Sequence, residues 1–443
     1  MSNFDLKHLP LSGLLGPGGL FSELTTPTLR LGVTGLARAG KTVLITALVR
    51  ALTRQARLPF FLAAAEGRIA RAYLEPQPDH NVPRFAYEDH LAALAADPPH
   101  WPESTRRISE LRVTIEYRST HPLWRQLGER RLHIDIVDYP GEWLIDLPLL
   151  SQDYWSWSRA AIAAARLPGR AEVAGPFLDY MATLDPDAPQ DEHRAIEGSR
   201  LFTAYLRAER THGRFEPTLG PGRFLLPGEL EGSPLLTFMP LDANQPHQRR
   251  GSLGQMMASR YQSYRRQVVE PFFRNHFARL DRQIVLIDAL SAIDRGQEAM
   301  RDLEHALAAL LSVFRTGSSG FLSHFLPRRI DRILLAATKA DHVPAASHDR
   351  LEAILRELTA RASRRSGDTG TQIRSLALAS LRATREAEIR RGNPRPVIIG
   401  YPLARCPYRR RDLRWPERSR DLSGRPPGFD CRGKHRPTRR PGQ

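Results

Sequence analysis

The sequence predicts an α/β fold, a mostly parallel sheet with helices on both faces, interrupted by helical insertions. Three observations carry that expectation. The apolar run LRLGVT at 29–34 passes through a glycine-containing turn into KTVLITALVRALTR at 41–54, whose apolar residues recur at helical spacing. Two further runs, LRVTIEY at 111–117 and LHIDIVD at 132–138, are separated by a polar connection with turn residues, as a neighbouring strand pair would be. The last third repeats strand and helix: strands QIVLID at 283–288, ILLAA at 333–337 and SLALAS at 375–380, with helical segments at 296–314 and 348–364 between them. In such a sheet, ligands bind beyond the carboxyl ends of the strands.

Two stretches stand outside the alternation. Residues 57–104 separate the first helix from the next strand, and a βαβ unit of about 30 residues leaves no place for them. Residues 147–280 are longer and helix-rich by pattern (YWSWSRAAIAAARL, RLFTAYLRAE), broken by a Pro/Gly-rich stretch, and read as a domain in their own right. Near their end Tyr261, Tyr264, Phe272, Phe273 and Phe277 alternate with Arg260, Arg265, Arg266 and Arg274. That interleaving could stack single-stranded nucleic acid. Aromatics at helical spacing are more often core, with the arginines on a solvated face.

Composition removes other classes. With 41% hydrophobic and 26% charged residues over 443, the chain is neither collagen-like, coiled-coil nor wholly disordered. No 18-residue apolar window and no signal-like start occur, so a cytoplasmic protein is expected. Cys406 and Cys431 both fall in the last 40 residues, and the histidines show no ligand spacing, which argues against a disulfide framework or a zinc site. The net charge of +17 is uneven. Residues 405–443 hold 13 Lys+Arg and four acids, a net +9, leaving +8 for the preceding 404. This Arg-, Pro- and Gly-rich end reads as disordered, either a basic tail for nucleic acid or anionic lipid or the product of a shifted reading frame. The body offers little ground for nucleic-acid binding. Only four lysines occur (Lys7, Lys41, Lys339, Lys434) among 65 basic residues, so a retained lysine is a position to inspect, because an ammonium and a guanidinium are not interchangeable in a tight site.

Three motifs carry chemistry. GLARAGKT, from Gly35 to Thr42, fits the phosphate-binding loop G-x-x-x-x-G-K-[ST] between a strand and a helix. The N–H groups of Gly35, Ala37, Arg38, Ala39, Gly40, Lys41, Thr42 and Val43 would surround phosphate oxygens, Lys41 would reach the β- and γ-phosphates, and the Thr42 hydroxyl would bind Mg²⁺. DYPG follows LHIDIV, placing Asp138 to hold Mg²⁺, usually through water, and Gly141 to bring its N–H to the γ-phosphate. TKAD follows ILLAA, so Thr338 leads to Lys339, whose stem would lie along a base, and Asp341, which can accept from guanine N1–H and its exocyclic amine. Ser380 and Leu381, in LALASLRAT, would close the base pocket through backbone N–H groups.

In this order the motifs resemble the Ras-like GTPase superfamily of P-loop proteins. More closely, GVTGLARAGKTVLITALV, STRRISELRVTIEY, DYPGEWLIDLPLLSQDYWSWS and SLALASLRAT are similar to the YcjX family of bacterial stress-associated GTP-binding proteins, over most of 29–404. The resemblance implies a Ras-like domain with an extra helical domain, GTP/GDP and Mg²⁺ as ligands, and a gene beside one for a membrane protein in a stress regulon. It therefore implies a cytoplasmic protein that could sit peripherally at the inner membrane through such a partner. The family's ending is acidic, unlike 405–443. Position by position, Thr105 lies where a switch I threonine meets Mg²⁺ and the γ-phosphate, although a strand or helix N-cap is an alternative role. Glu142 stands in switch II where many GTPases have a water-orienting Gln. A carboxylate there implies slow intrinsic hydrolysis, with Arg38 or a partner supplying positive charge, although a solvated arginine is the alternative role for Arg38.

The expected organisation is an N-terminal segment (1–28), a discontinuous P-loop GTPase domain (29–56, 105–146 and 281–404), a small insertion (57–104), a helical insertion (147–280) and the basic tail (405–443). The leading functional reading is a GTP-hydrolysing switch with Lys41, Glu142 and Arg38 in the reaction. An ATP-using enzyme is the second, because Thr338 replaces the commoner Asn of the base motif. A nucleic-acid-binding protein is the third.

Overall fold

The computed structural model describes residues 26–35, 39–54, 61–103, 105, 107–120, 128–211, 220–242, 249–315, 330, 332–366, 372–389 and 395–400. Ala37, Arg38 and the basic stretch 405–443 lie outside the described residues.

Seven strands form one sheet: β1 (Thr28–Gly35), β2 (Ile69–Glu75), β3 (Ser109–Arg118), β4 (Glu129–Asp138), β5 (Arg282–Ile287), β6 (Arg332–Ala337) and β7 (Gln372–Ala377). Their spatial order is β2-β3-β4-β1-β5-β6-β7. The pairings β4/β1, β1/β5, β5/β6 and β6/β7 are parallel, while β2/β3 and β3/β4 are antiparallel. A separate hairpin joins β8 (Thr384–Ile389) to β9 (Arg395–Gly400). The register aligns Val33 with Asp138, Gly35 with Leu286, Ile287 with Ala337 and Ala337 with Ala377. The ends of five parallel strands therefore share one edge of the sheet, and the chain order reverses direction across β1, where an open α/β sheet holds its ligands.

The expectation that 57–104 stands apart from the sheet needs correction, because β2 lies within it and pairs with β3. The sequence IARAYLE alternates too weakly to announce a strand. As an edge strand beside β3 it buries little beyond Ala72, so strong patterning is not required of it.

The helices of at least seven residues are α1 (Lys41–Thr53), α2 (Tyr87–Ala95), α3 (Tyr154–Ala165), α4 (Ala171–Ala182), α5 (Glu192–Thr211), α6 (Leu253–Tyr264), α7 (Ala289–Arg295), α8 (Gln297–Arg315) and α9 (His348–Ser366). On one face of the sheet α1 lays Leu44, Ile45, Val49 and Leu52 against Leu111, Val113 and Ile136. Each such side chain contributes about 1.5–3 kcal/mol on burial. The opposite face carries Leu303, Leu307 and Leu311 of α8 and Leu351, Leu355 and Leu358 of α9 against Val285, Ile287 and Leu335.

That second core does not stop at the sheet. It continues through Trp143, Leu144 and Leu147 into the insertion, where Trp157, Phe177, Phe202, Phe238 and Tyr261 are buried. Trp157 stacks on Tyr261 with centroids 5.1 Å apart, and Phe238 meets both rings edge-on. Tyr261, Tyr264, Phe272, Phe273 and Phe277 are all buried, so they form core and present no stacking surface for nucleic acid. Their helix, α6, runs on through a π turn at Arg265–Val269 into Glu270–Asn275. The π turn ends where Pro271, which lacks a backbone N–H, enters.

Candidate nucleotide-binding edge

The turn into α1 is set by Gly40, whose φ of 84° lies in the left-handed region that side chains resist. From this turn the first residues of α1, Lys41 and Thr42, reach the end of β4. Lys41 Nζ lies 2.6 Å from Asp138 Oδ1, with both side chains largely buried. Thr105 Oγ1 donates to Asp138 Oδ2 at 2.8 Å and lies 3.3 Å from Thr42 Oγ1. The Thr46 hydroxyl donates to the carbonyl of Thr42 at 2.8 Å and helps to fix the first turn. Lys41, Thr42, Thr105 and Asp138, which sequence reasoning drew from three separate motifs, thus share one hydrogen-bonded cluster. Among the described residues, no helix or strand begins at Thr105, and its hydroxyl goes to Asp138.

The donor set fits Mg²⁺. Two hydroxyls and one carboxylate converge, all hard oxygens, and a partial set of this kind is what Mg²⁺ uses when phosphates and water complete its shell. Among the described residues no group of three or more His, Cys, Asp or Glu could hold a metal by itself. Lys41 compensates Asp138 in this arrangement, so a polyphosphate and its cation would have to redistribute that pair.

Gly141 sits beside the loop. It lines a small apolar cleft with Thr34 and Gly35 of β1, Val285 and Ile287 of β5, and Ala306, Leu307 and Leu310 of α8. Beyond it, Gly141–Ser151 coils as 3-10 turns and buries nine of its 11 residues. Glu142 is buried with its carboxylate on Arg210 of α5, 2.5 Å away. Trp143 lies under the Arg223 guanidinium at 3.2 Å and donates its indole N–H to the Leu226 carbonyl. Asp146 accepts from the Gly222 N–H at 2.6 Å and the Tyr264 hydroxyl at 2.7 Å. Burial raises the Asp146 carboxyl to about 6, outweighing those donors and the nearby Arg223.

The base end is assembled from three strand ends. Thr338 N–H donates to the Ile287 carbonyl, Leu378 N–H to the Ala337 carbonyl and Ala340 N–H to the Leu378 carbonyl. Lys339 takes φ 60° and its ammonium lies 2.5 Å from Asp288 Oδ2. Asp341 is buried, and its Oδ2 accepts the Ala383 N–H at 3.1 Å. The Thr384 hydroxyl donates to the Asp341 carbonyl. Ser380 and the exposed Leu381 lie in the turn that leads to Ala383. Ala39 and Val43 flank the Gly40 turn, with Ala39 buried against the sheet.

Two residues of this edge escaped sequence reasoning. Asp288 ends the run QIVLID and could have been noticed as an acid at a carboxyl strand end. Arg210 carries no signal, being one of many arginines and 68 residues from Glu142.

The YcjX-like family, DUF463, matches residues 29–424 of the chain. The "Ras-like GTPase YcjX" of Escherichia coli strain K12 is 38% identical over 393 residues, covering 85% of this chain and 83% of that protein. The protein of the same name from Shewanella oneidensis is 36% identical over 382 residues, covering 82% and 78%.

Proposed function

Because the chain belongs to the YcjX-like family, we propose that it is a GTP-binding and GTP-hydrolysing, Mg²⁺-dependent molecular switch, acting through the helical insertion that follows switch II. The observation that carries this reading is the meeting of Lys41, Thr42, Thr105 and Asp138 at one sheet edge. Lys41 leaves Asp138 for the phosphates, and the Gly141 N–H turns to the γ-phosphate. Thr42 and Thr105, with Asp138 through water, would hold Mg²⁺, which would supply compensation for phosphate charge. Asp341 exchanges the Ala383 N–H for guanine donors, while Lys339, steadied by Asp288, lies along the base. Glu142 replaces a group that could donate to the phosphate, so intrinsic turnover is slow and positive charge from Arg38 or a partner completes the site.

The buried packing of Gly141–Ser151 against residues 220–226 and Tyr264 supports the insertion as the reporting element, because the segment that follows the γ-phosphate contact cannot move without it. A bacterial envelope-stress role and a membrane-protein partner remain part of this proposal. So does a cytoplasmic location, peripheral at the inner membrane through that partner. Among the described residues, no helix is long and apolar enough to cross a membrane.

Equilibrium titration of the whole chain with GTP, GDP and ATP, with and without Mg²⁺, tests the reading, with Lys41→Ala as control. Tight GTP and GDP binding that Lys41→Ala abolishes is expected. Equal or tighter ATP binding favours an ATP-using enzyme and overturns the guanine assignment.

A further inference from the structure

We propose that Arg210, supplied by α5 of the helical insertion, is a positioning residue for the triphosphate: it neutralises Glu142 beside Gly141, so the site accepts a γ-phosphate only while α5 is seated on switch II. The inference rests on the nucleotide reading above and adds to it the contact through which the insertion senses the nucleotide.

The geometry is specific to this pair. Arg210 Nη2 lies 2.5 Å from Glu142 Oε1, with the Glu142 side chain 5% exposed and the Arg210 side chain 30% exposed. The backbone of Glu142 is pressed against the same insertion. A Cβ on Gly222 would come within 1.8 Å of the Glu142 carbonyl oxygen, so residue 222 must be glycine for the two segments to meet. On its other flank Glu142 follows Gly141, which shares a cleft with Thr34 and Gly35 where the phosphate loop leaves β1. Glu142 therefore lies between the phosphate loop and α5. Its neighbour Trp143 is held from the insertion by Arg223, and Asp146 by Tyr264 and the Gly222 N–H.

A buried carboxylate next to a γ-phosphate opposes it, because like charges in a medium of reduced permittivity repel strongly. Pairing with Arg210 removes that opposition without removing the carboxylate. GDP lacks the group that Glu142 would oppose, so loss of Arg210 must weaken the triphosphate selectively. Coupling is reciprocal: whatever makes the γ-phosphate prefer a paired Glu142 makes bound GTP hold α5 in place. The buried pair Arg170–Glu209 ties the neighbouring residue of α5 to the start of α4, so a shift at Arg210 is transmitted along the insertion.

The test is calorimetric titration of the full chain with GDP and with a non-hydrolysable GTP analogue, both with Mg²⁺. The proteins are wild type, Arg210→Ala, Arg210→Lys, Glu142→Gln and the Glu142→Gln/Arg210→Ala double variant. Arg210→Ala should weaken the analogue about tenfold while GDP changes less than about twofold. Arg210→Lys, which keeps the charge, should hold the analogue within about threefold. In the Glu142→Gln background, Arg210→Ala should lose its selective effect. Equal weakening of both nucleotides, or a selective loss that persists without the Glu142 charge, overturns the proposal. If Arg210→Ala does not fold, the double variant and Arg210→Lys still decide. A wild type that binds neither nucleotide overturns the nucleotide reading itself, a different outcome from a wild type that binds both and an Arg210→Ala that does not discriminate.

Discussion

Asp146→Asn should change how the stability of the protein depends on pH. Asp146 is buried, its carboxyl is raised by desolvation to about 6 from an ordinary 3.8, and it faces Tyr264 from α6, the Gly222 N–H and the charge of Arg223. A carboxyl raised on folding favours the folded state below its unfolded value, and that contribution is lost as pH rises through the folded value. The shift corresponds to about 3 kcal/mol. An asparagine side chain can still accept from Gly222 and pair with the Tyr264 hydroxyl, but it does not titrate. Urea unfolding of wild type and variant at pH 4, 5, 6 and 7 is the assay. Groups present in both proteins cancel in the difference, among them Glu116, which Arg71 and Tyr73 hold at about 2. The variant should gain on the wild type by about 2.4 kcal/mol between pH 4 and pH 7, most of it between the two values, because part of the full effect falls below pH 4. Parallel pH profiles would refute the reasoning, because they would mean that Asp146 is as well solvated in the fold as outside it.

Gly40→Ala should destabilise the protein by about 1–2 kcal/mol, since alanine resists φ 84°, and chemical denaturation at neutral pH measures it. Asp288→Ala should raise the Kd for GTP and GDP alike by about fivefold, because Lys339 loses a charged partner without any change at the phosphates; an effect on one nucleotide alone would contradict the assignment. Tyr261→Ala should cost about 3–5 kcal/mol of stability, as loss of a buried ring does. A Tyr261→Ala protein of unchanged stability with weakened single-stranded RNA binding would restore the stacking-surface alternative.

The meeting of Lys41, Thr42, Thr105 and Asp138 at the candidate edge was legible because its chemistry is local in sequence. GLARAGKT, DYPG and TKAD each place a charged or hydroxyl group at the end of a short apolar strand, and parallel pairing brings those ends to one edge. The scarcity of lysine helped: Lys41 and Lys339 stand in the phosphate and base motifs, and each meets a carboxylate at a strand end. What was not legible is non-local. Strand β2 lacks a buried face of its own, so its pattern is weak. Arg210 meets Glu142 only because the insertion folds back on Gly141–Ser151, and no spacing rule links them. The aromatic run at 261–277 looked like either core or stacking surface, since helical spacing alone does not say which side faces a partner. The core also runs from the sheet into the insertion without a break, whereas the sequence suggested a domain in its own right.

The most direct test of the account exchanges the base that Asp341 is proposed to read. Asp341→Asn replaces an acceptor with a side chain that also donates, which suits xanthine, with a carbonyl where guanine has its exocyclic amine. Competitive titration should show GTP affinity falling by at least about tenfold and XTP affinity rising. Unchanged GTP affinity in Asp341→Asn, with no gain for XTP, would contradict the claim that this sheet edge binds guanine nucleotides through Asp341.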